Sequence, residues 1–163
     1  MDDDKLAAPN RHRHRAEDGK ALYEWEQTLD EMNVYVFVDP LIKTSDILVD
    51  VRTDTMTMRE KKENGFMFID RLKMYRAVVS DETVWTRDGI SGEIHVQMVK
   101  RKKAEPWVGA FEAHCDEISA KATEEDRERM MRARFQSENP GFDFSDAKFD
   151  GAVPDASEWN LPK

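Results

Sequence analysis

The chain has 163 residues, of which 39% are hydrophobic and 36% charged, with a formal net charge of −9 and one cysteine. This length predicts one domain with a usable core, and the high charge predicts solvated appendages around it. The acidic balance argues against a nucleic-acid binder, because the longest basic run, residues 100–103, is too short to form a phosphate-binding surface. A single cysteine excludes an internal disulfide and fits a reducing compartment.

The N-terminal segment carries no recognisable export signal. Residues 1–20 contain three consecutive aspartates and the run RHRHR at 11–15, but no apolar stretch suited to a signal peptide. No window approaches the roughly 20 apolar residues of a membrane span, and an aspartate at position 2 departs from the N-myristoylation pattern. We therefore expect a soluble, cytoplasmic protein without membrane contact, and we expect residues 1–20 to form a flexible arm.

A β-strand pattern runs through the segment 21–111. Residues 23–29 alternate between apolar and polar side chains, which predicts a half-buried strand. Residues 32–38 are apolar on both faces and end at Asp39-Pro40, which predicts a central strand. Further strand candidates follow at 46–51, 55–58, 66–79 as one bent strand or two, 83–86 and 94–99.

The number and spacing of these strands predict the architecture. About seven short strands, separated by turn signals such as Thr53-Asp54, are typical of an all-β antiparallel sandwich. No helix of crossover length lies between them, which argues against a parallel sheet. Large apolar side chains at alternating positions are expected in the core. The expected core residues are Trp25, Leu29, Val36, Trp85 and Val96.

The segment 112–141 has a helical pattern instead. Thr123 is a candidate N-cap with Asp126 three residues later, and the two favourable i,i+4 charge pairs Glu125/Arg129 and Glu128/Arg132 predict a helix over 124–137. The sequence Asn-Pro-Gly at 139–141 ends this pattern. The apolar stripe is narrow, so the helix must pack on another element to be stable. The residues of that stripe are Met130, Met131 and Phe135.

The C-terminal segment 142–163 places aromatic side chains among polar residues. Phe142 and Phe144 share one face of an extended chain, which predicts an anchored aromatic hook. Trp159 lies farther along a tail that we expect to be mobile, where it either packs on the domain or anchors a partner. All three aromatics are therefore candidate partner-binding residues.

The sequence contains no recognised catalytic or cofactor motif. It has no Gly-rich phosphate loop, nucleophile elbow or His-Glu-x-x-His motif. His12 and His14 lack further nearby ligands for a metal, and the strand position of His95 is more typical of a structural histidine. Cys115 has only His114 beside it as an activating group. We therefore expect a protein that is not an enzyme and that uses neither cofactor nor metal.

Three separated motifs resemble the NudC (nuclear distribution C) branch of CS domains. Residues 23–31 (YEWEQTLDE) are similar to its W-x-Q-T-L-x-E-V opening, and residues 80–86 (SDETVWT) to its D-E-x-x-W-T segment. Residues 134–145 (RFQSENPGFDFS) resemble one subfamily in particular. The motifs keep the family order within residues 23–151. The resemblance implies a seven-stranded sandwich, shared with small heat-shock proteins and with co-chaperones of the 90-kilodalton heat-shock protein, without catalytic residues.

The resemblance also implies a function. It implies a chaperone or co-chaperone that stabilises protein clients, notably the WD-repeat propeller of the lissencephaly protein that regulates cytoplasmic dynein. Lys43 and Asp46 match the basic and acidic positions of the family's loop before the third strand, so both are candidate partner-binding residues. Direct contact with the 90-kilodalton heat-shock chaperone is left open. The alternative is an architectural adaptor held permanently in a dynein-related or other multiprotein assembly.

Two segments depart from the family pattern. Family members usually have Leu-Glu-Asp after Trp-Thr where this chain has RDG at 87–89, and Gly-Glu-Leu where it has DRL at 70–72. Both changes alter the surface charge near loops and are expected to change partner geometry. The N-terminal coiled coil of the long NudC proteins is not found in this sequence, so the resemblance does not carry over their dimerisation.

Overall fold

Eight β-strands and one long helix make up most of the part of the chain that the computed structural model describes, residues 11–115 and 118–141. The strands are β1 (His12–Arg15), β2 (Ala21–Gln27), β3 (Glu31–Val36), β4 (Ile47–Val51), β5 (Thr55–Glu60), β6 (Met67–Lys73), β7 (Val78–Arg87) and β8 (Ile94–Lys100). Two short 3-10 turns, Thr44–Asp46 and Glu112–His114, lie in the connecting segments. The helix α1 covers Ala120–Glu138.

The strands form two antiparallel sheets, which confirms the predicted all-β sandwich. The five-stranded sheet has the order β1-β2-β3-β8-β7, and the three-stranded sheet has the order β4-β5-β6. The apolar strand β3 lies in the middle of the larger sheet, as its sequence predicts. Strands β2 to β8 correspond to the seven predicted strands, while β1 is an additional strand at one edge.

The core lies between the sheets and consists of the apolar side chains that alternate along each strand. Trp25, Val36 and Val96 are buried in it. Trp85 packs against this core but is only partly buried, because β7 is an edge strand with a neighbouring strand on one side only. Leu29 is buried in a second, smaller cluster beneath α1 rather than in the main core.

The region predicted as one bent strand or two, residues 66–79, divides differently in the structure. Its first part is the single strand β6, which contains a β-bulge where Asp70 and Arg71 together face Thr57 of β5. The backbone of Arg71 has a φ of 41°, in the left-handed region that most residues avoid. Its last residues, Val78 and Val79, begin β7 instead.

The expectation of a flexible N-terminal arm is wrong for residues 12–15, because they form β1 along the edge of β2. The guanidinium groups of Arg11 and Arg13 bind the buried carboxylate of Glu24 at 3.3 and 3.1 Å. The ring of His12 lies over Trp25 with 4.5 Å between centroids. The basic side chains therefore have specific partners on β2, which their sequence alone does not reveal.

The predicted C-terminal helix is confirmed, although it begins earlier than predicted. It starts at Ala120 rather than at residue 124, and its N-cap is Ser119 instead of Thr123. The Ser119 hydroxyl oxygen accepts a hydrogen bond from the Ala122 backbone N–H at 3.1 Å. Met130 and Met131 pack on Leu29, so the narrow apolar stripe rests on the sandwich as expected.

The buried carboxylate of Asp126 joins α1 to the larger sheet. Its Oδ2 lies 2.7 Å from Nε2 of His12 on β1 and accepts a hydrogen bond from Gln27 on β2 at 3.3 Å. Its Oδ1 accepts a hydrogen bond from Arg129 at 2.7 Å. Burial alone would raise the pKa of Asp126, but the contacts with His12 and Arg129 outweigh it and hold the pKa below its ordinary value. The charged carboxylate is therefore the form that holds the helix.

We expect Asp126→Ala to lower the free energy that holds α1 and β1 on the sheet by about 2 kcal/mol, because the partners of the carboxylate lose a buried acceptor. Amide hydrogen exchange should accelerate in both elements. Glu125→Ala is the matched control, since Glu125 is exposed and pairs only loosely with Lys121 at 3.9 Å. The stability that the wild type has over Asp126→Ala should be fully present above about pH 4 and should disappear as the pH falls through the lowered pKa of Asp126. Equal exchange rates in the two variants would contradict this role.

Candidate partner-binding surface

Two loops at one end of the sandwich form the surface that we call the loop end, residues 39–46 and 88–92. Leu41 on the first loop is 90% exposed and Ile90 on the second is 92% exposed. These are the two most exposed large apolar side chains of the described residues. Exposed apolar side chains that are grouped together and surrounded by polar groups mark protein interaction sites. The loop end is therefore the first candidate for binding another protein.

Arg87 joins the two loops of this surface. Its guanidinium group donates hydrogen bonds to the backbone oxygens of Asp39 at 2.9 Å and of Gly92 at 3.1 Å, and also to that of Ile42. A further hydrogen bond reaches the Thr44 hydroxyl at 3.2 Å. Arg87 is one of the departures from the family pattern. Its side chain does more than change the surface charge, because it forms hydrogen bonds that hold the two loops together. Its planar group, with several donors, suits this cross-linking role.

Gly92 allows the loops to approach closely. Its φ is 79°, and a Cβ atom at this position would lie 2.3 Å from the backbone oxygen of Val38 and 3.0 Å from the backbone nitrogen of Pro40. Only glycine fits such a contact, because real Cβ atoms do not approach backbone oxygens so closely. The contact holds the second loop against the start of the first.

The candidate residues Lys43 and Asp46 lie on the same surface. Lys43 immediately precedes the 3-10 turn and Asp46 is its last residue, and the Asp46 backbone N–H donates to the Lys43 backbone oxygen at 2.9 Å. The backbone oxygen of Asp46 accepts a hydrogen bond from the Lys61 N–H at 2.8 Å, which fixes the turn to the end of β5. Both side chains are exposed, and neither forms an ion pair within residues 11–115 and 118–141. They remain available to a partner.

The other candidate residues divide into two groups. Phe142, Phe144 and Trp159 lie outside the described residues, so their predicted role stays a prediction. Leu41 and Ile90 were missed by the sequence analysis, although an apolar residue inside the turn sequences Asp-Pro-Leu and Asp-Gly-Ile-Ser-Gly is a signal that was available. A turn residue has no core to enter, so an apolar side chain there points to exposure.

His95 and Cys115, two residue types that often act in catalysis, have structural partners in this fold. His95 Nε2 lies 2.8 Å from Oδ1 of Asn33, and its ring stacks on Tyr35. Burial, followed by the nearby charge of Arg11, lowers the pKa of His95. The thiol of Cys115 donates a hydrogen bond to the backbone oxygen of Phe111 at 3.2 Å. Within the described ranges, no three His, Cys, Asp or Glu side chains are grouped as metal ligands would be.

The comparisons with known proteins agree with the fold. The family model of the CS domain matches residues 21–100, which span β2 to β8. A solved CS domain, that of human KIAA1068 protein, is similar to this chain with a TM-score of 0.53 and 17% identity, covering 67% of this chain and 83% of that one. The two-sheet arrangement and the matched region together define a CS-domain protein. None of the helices described is both long and apolar enough to cross a membrane.

Similar proteins identify the branch of CS-domain proteins to which this chain belongs. NudC domain-containing protein 2 of Homo sapiens, like that of Rattus norvegicus, is 30% identical over 131 residues, which cover 78% of this chain and 79% of the relative. Nuclear movement protein nudC of Dictyostelium discoideum is 21% identical over 160 residues, covering 78% of this chain and 92% of the relative. The chain belongs to the NudC family of CS-domain proteins, which confirms the resemblance found in its sequence and supports a co-chaperone-like role.

Proposed function

We propose that this chain is a non-enzymatic chaperone or co-chaperone that binds protein clients through the loop end. The observation that carries the proposal is the exposure of Leu41 and Ile90, at 90% and 92%, on two loops joined by Arg87. A surface already held in shape loses little conformational entropy on binding. Lys43 and Asp46 provide a charged rim for this apolar centre, a common arrangement at protein interfaces.

The proposed clients are WD-repeat propellers such as the lissencephaly protein that regulates dynein. Membership of the NudC family supports this choice of client, and the same membership suggests the 90-kilodalton heat-shock chaperone as a second partner. The net charge of −9 helps to keep a complex with an aggregation-prone client in solution. We place this activity in the cytoplasm, with no role for nucleic acid, membrane or cofactor.

The first test compares the wild type with the double variant Leu41→Ser/Ile90→Ser. The wild type should suppress heat-induced aggregation of a purified WD-repeat propeller at equimolar ratio without ATP, and the double variant should lose most of this protection. Val84→Ser is the control, because Val84 is also exposed but lies on the edge strand β7. Protection by the double variant equal to that of the wild type would overturn the loop end as the client-binding surface.

A second experiment separates transient chaperoning from a permanent adaptor role. The full-length wild type and the variant Phe142→Ala/Phe144→Ala/Trp159→Ala are used to capture partners from a cell lysate, and mass spectrometry identifies them. Several propeller proteins at low occupancy would support the chaperone proposal. One stoichiometric partner that is lost with the triple variant would favour the adaptor and would assign its contact to the C-terminal segment.

A further inference from the structure

The outer face of the three-stranded sheet contains a second distinctive surface, which we call the arginine cavity. It has a volume of about 410 Å³, and Arg52, Arg59 and Arg71 contribute to its lining together with one acidic residue, Asp50. Arginines are concentrated here although the chain as a whole has a net charge of −9. The cavity lies on a sheet face and is separate from the loop end.

The alternation of β5 explains why polar side chains meet at this place. Met56 and Met58 are fully buried and point into the core. Thr55, Thr57 and Arg59 therefore point to the opposite, outer face of the sheet, because successive side chains of a strand alternate. Antiparallel pairing with β4 then brings outward-pointing residues of both strands side by side.

The β-bulge in β6 brings the third arginine to the cavity. Ile69 pairs with Met58 and Leu72 with Met56, so an extra residue is inserted between these two pairs. Arg71 occupies the inserted position with a φ of 41° and lines the cavity. Bulges commonly redirect a side chain, and a non-glycine residue with positive φ persists only where its surroundings hold it there. The bulge is thus the device that adds this charge to the face.

The guanidinium groups of the cavity have few acidic partners. Arg52 forms an exposed ion pair with Asp50 at 3.2 Å, and Arg59 donates to the backbone oxygen of Glu60 at 3.0 Å. Arg71 has no hydrogen bond or ion pair to any residue in the described ranges. The set therefore offers several free N–H donors and a net positive charge, which is complementary to carboxylate groups.

We propose that the arginine cavity binds an acidic, extended segment of a partner protein. Carboxylates of the segment bind Arg59 and Arg71, and hydroxyl groups of Thr55 and Thr57 are placed for its backbone. Leu48 adds an apolar contact to the same cavity, which suits a peptide better than a bare anion. The net charge of the chain opposes the approach of a long polyanion such as nucleic acid. This site is additional to the loop end and does not depend on the proposed function.

The test uses a fluorescein-labelled peptide of alternating glutamate and valine, with binding to the full chain measured by fluorescence anisotropy at low salt. We expect Arg71→Glu to weaken binding about tenfold, and Arg71→Lys to retain most of it, because the charge is conserved. Arg101→Glu is the control, since it makes the same change in net charge at an exposed position outside the cavity. Thermal unfolding of each variant verifies that the fold is kept.

The results of these binding experiments either support or overturn the arginine cavity as a site for an acidic segment. Loss of binding confined to Arg71→Glu, together with shifts of the Thr55 and Thr57 amide resonances on peptide addition, would support it. Equal weakening by Arg101→Glu would overturn it, because binding would then follow net charge alone. Tighter binding of inorganic phosphate or of an oligothymidylate than of the peptide would also overturn it in favour of a general anion site. None of these results involves a client, so the proposed function is tested separately.

Discussion

Gly92→Ala is expected to lower the free energy of unfolding by about 3 kcal/mol, through left-handed backbone strain and a steric clash. The new Cβ atom would lie 2.3 Å from the Val38 backbone oxygen, and alanine disfavours a φ of 79°. Neither group in the clash is a flexible side chain, so relief requires the two loops to separate. Urea unfolding followed by tryptophan fluorescence measures the change.

The neighbouring Gly89 provides a matched control in the same loop. A Cβ atom built at Gly89 meets nothing within 4 Å. We therefore expect Gly89→Ala to change the free energy of unfolding by less than about 0.5 kcal/mol. If both glycine variants are equally stable, the close approach of the loops does not exist in solution. If Gly92→Ala alone also loses client protection while still folded, the shape of the loop end matters for binding.

Lys100→Met is expected to reduce the free energy of unfolding by about 3 kcal/mol, because methionine keeps the apolar stem but removes a buried donor group. The Lys100 side chain is fully buried. Its Nζ donates to Gln27 Oε1 at 2.9 Å and to the backbone oxygens of Thr28 at 2.7 Å and Glu105 at 3.0 Å. All three acceptors lose this donor in the variant. Lys103→Met, an exposed lysine of the same basic run, is the control and should remain as stable as the wild type.

The same lysine should make stability depend on pH. Burial lowers the pKa of Lys100 from 10.5 to about 8, although the nearby Asp30, Glu105 and Asp126 oppose this shift. Between these two values the unfolded chain binds more protons than the folded one, so stability increases as the pH rises. The wild type should therefore gain up to about 1.4 kcal/mol per pH unit relative to Lys100→Met above pH 8, and the difference should be constant below it. Parallel pH profiles of the two proteins would contradict a lowered pKa.

Regular alternation made most strands predictable from the sequence. In β8, Ile94, Val96 and Met98 are buried while the residues between them are only half-buried, and this pattern is visible in the sequence itself. The helix was also predictable, because its charge pairs join residues only four positions apart and are therefore visible in the sequence. The predicted first residue of the helix was wrong because Thr123 and Ser119 are both suitable N-caps, and only the fold decides between them.

Residues whose environment depends on distant partners were not predictable in this way. Lys100 belongs to a basic run that looks solvated, and its burial follows from Gln27 on another strand. The arginines of β1 likewise look like an exposed arm until Glu24 is found beside them. Arg87 resembles a surface charge, yet it joins two loops that are far apart in the chain. A polar side chain is buried only when its hydrogen bonds are satisfied, and single-sequence patterns do not identify the partners.

The topology also sets the order in which the domain can assemble. The three-stranded sheet consists of two successive hairpins, whose short loops close quickly. The pairing of β3 with β8 instead joins residues about 60 positions apart, such as Val36 with Ile94, at a much greater loop-closure cost. We therefore expect the hairpins to form first, with Met56 and Met58 left uncovered until the larger sheet packs on them. We expect this long-range closure to limit the rate of folding, so that during synthesis the apolar side of the three-stranded sheet stays uncovered until β8 has been made.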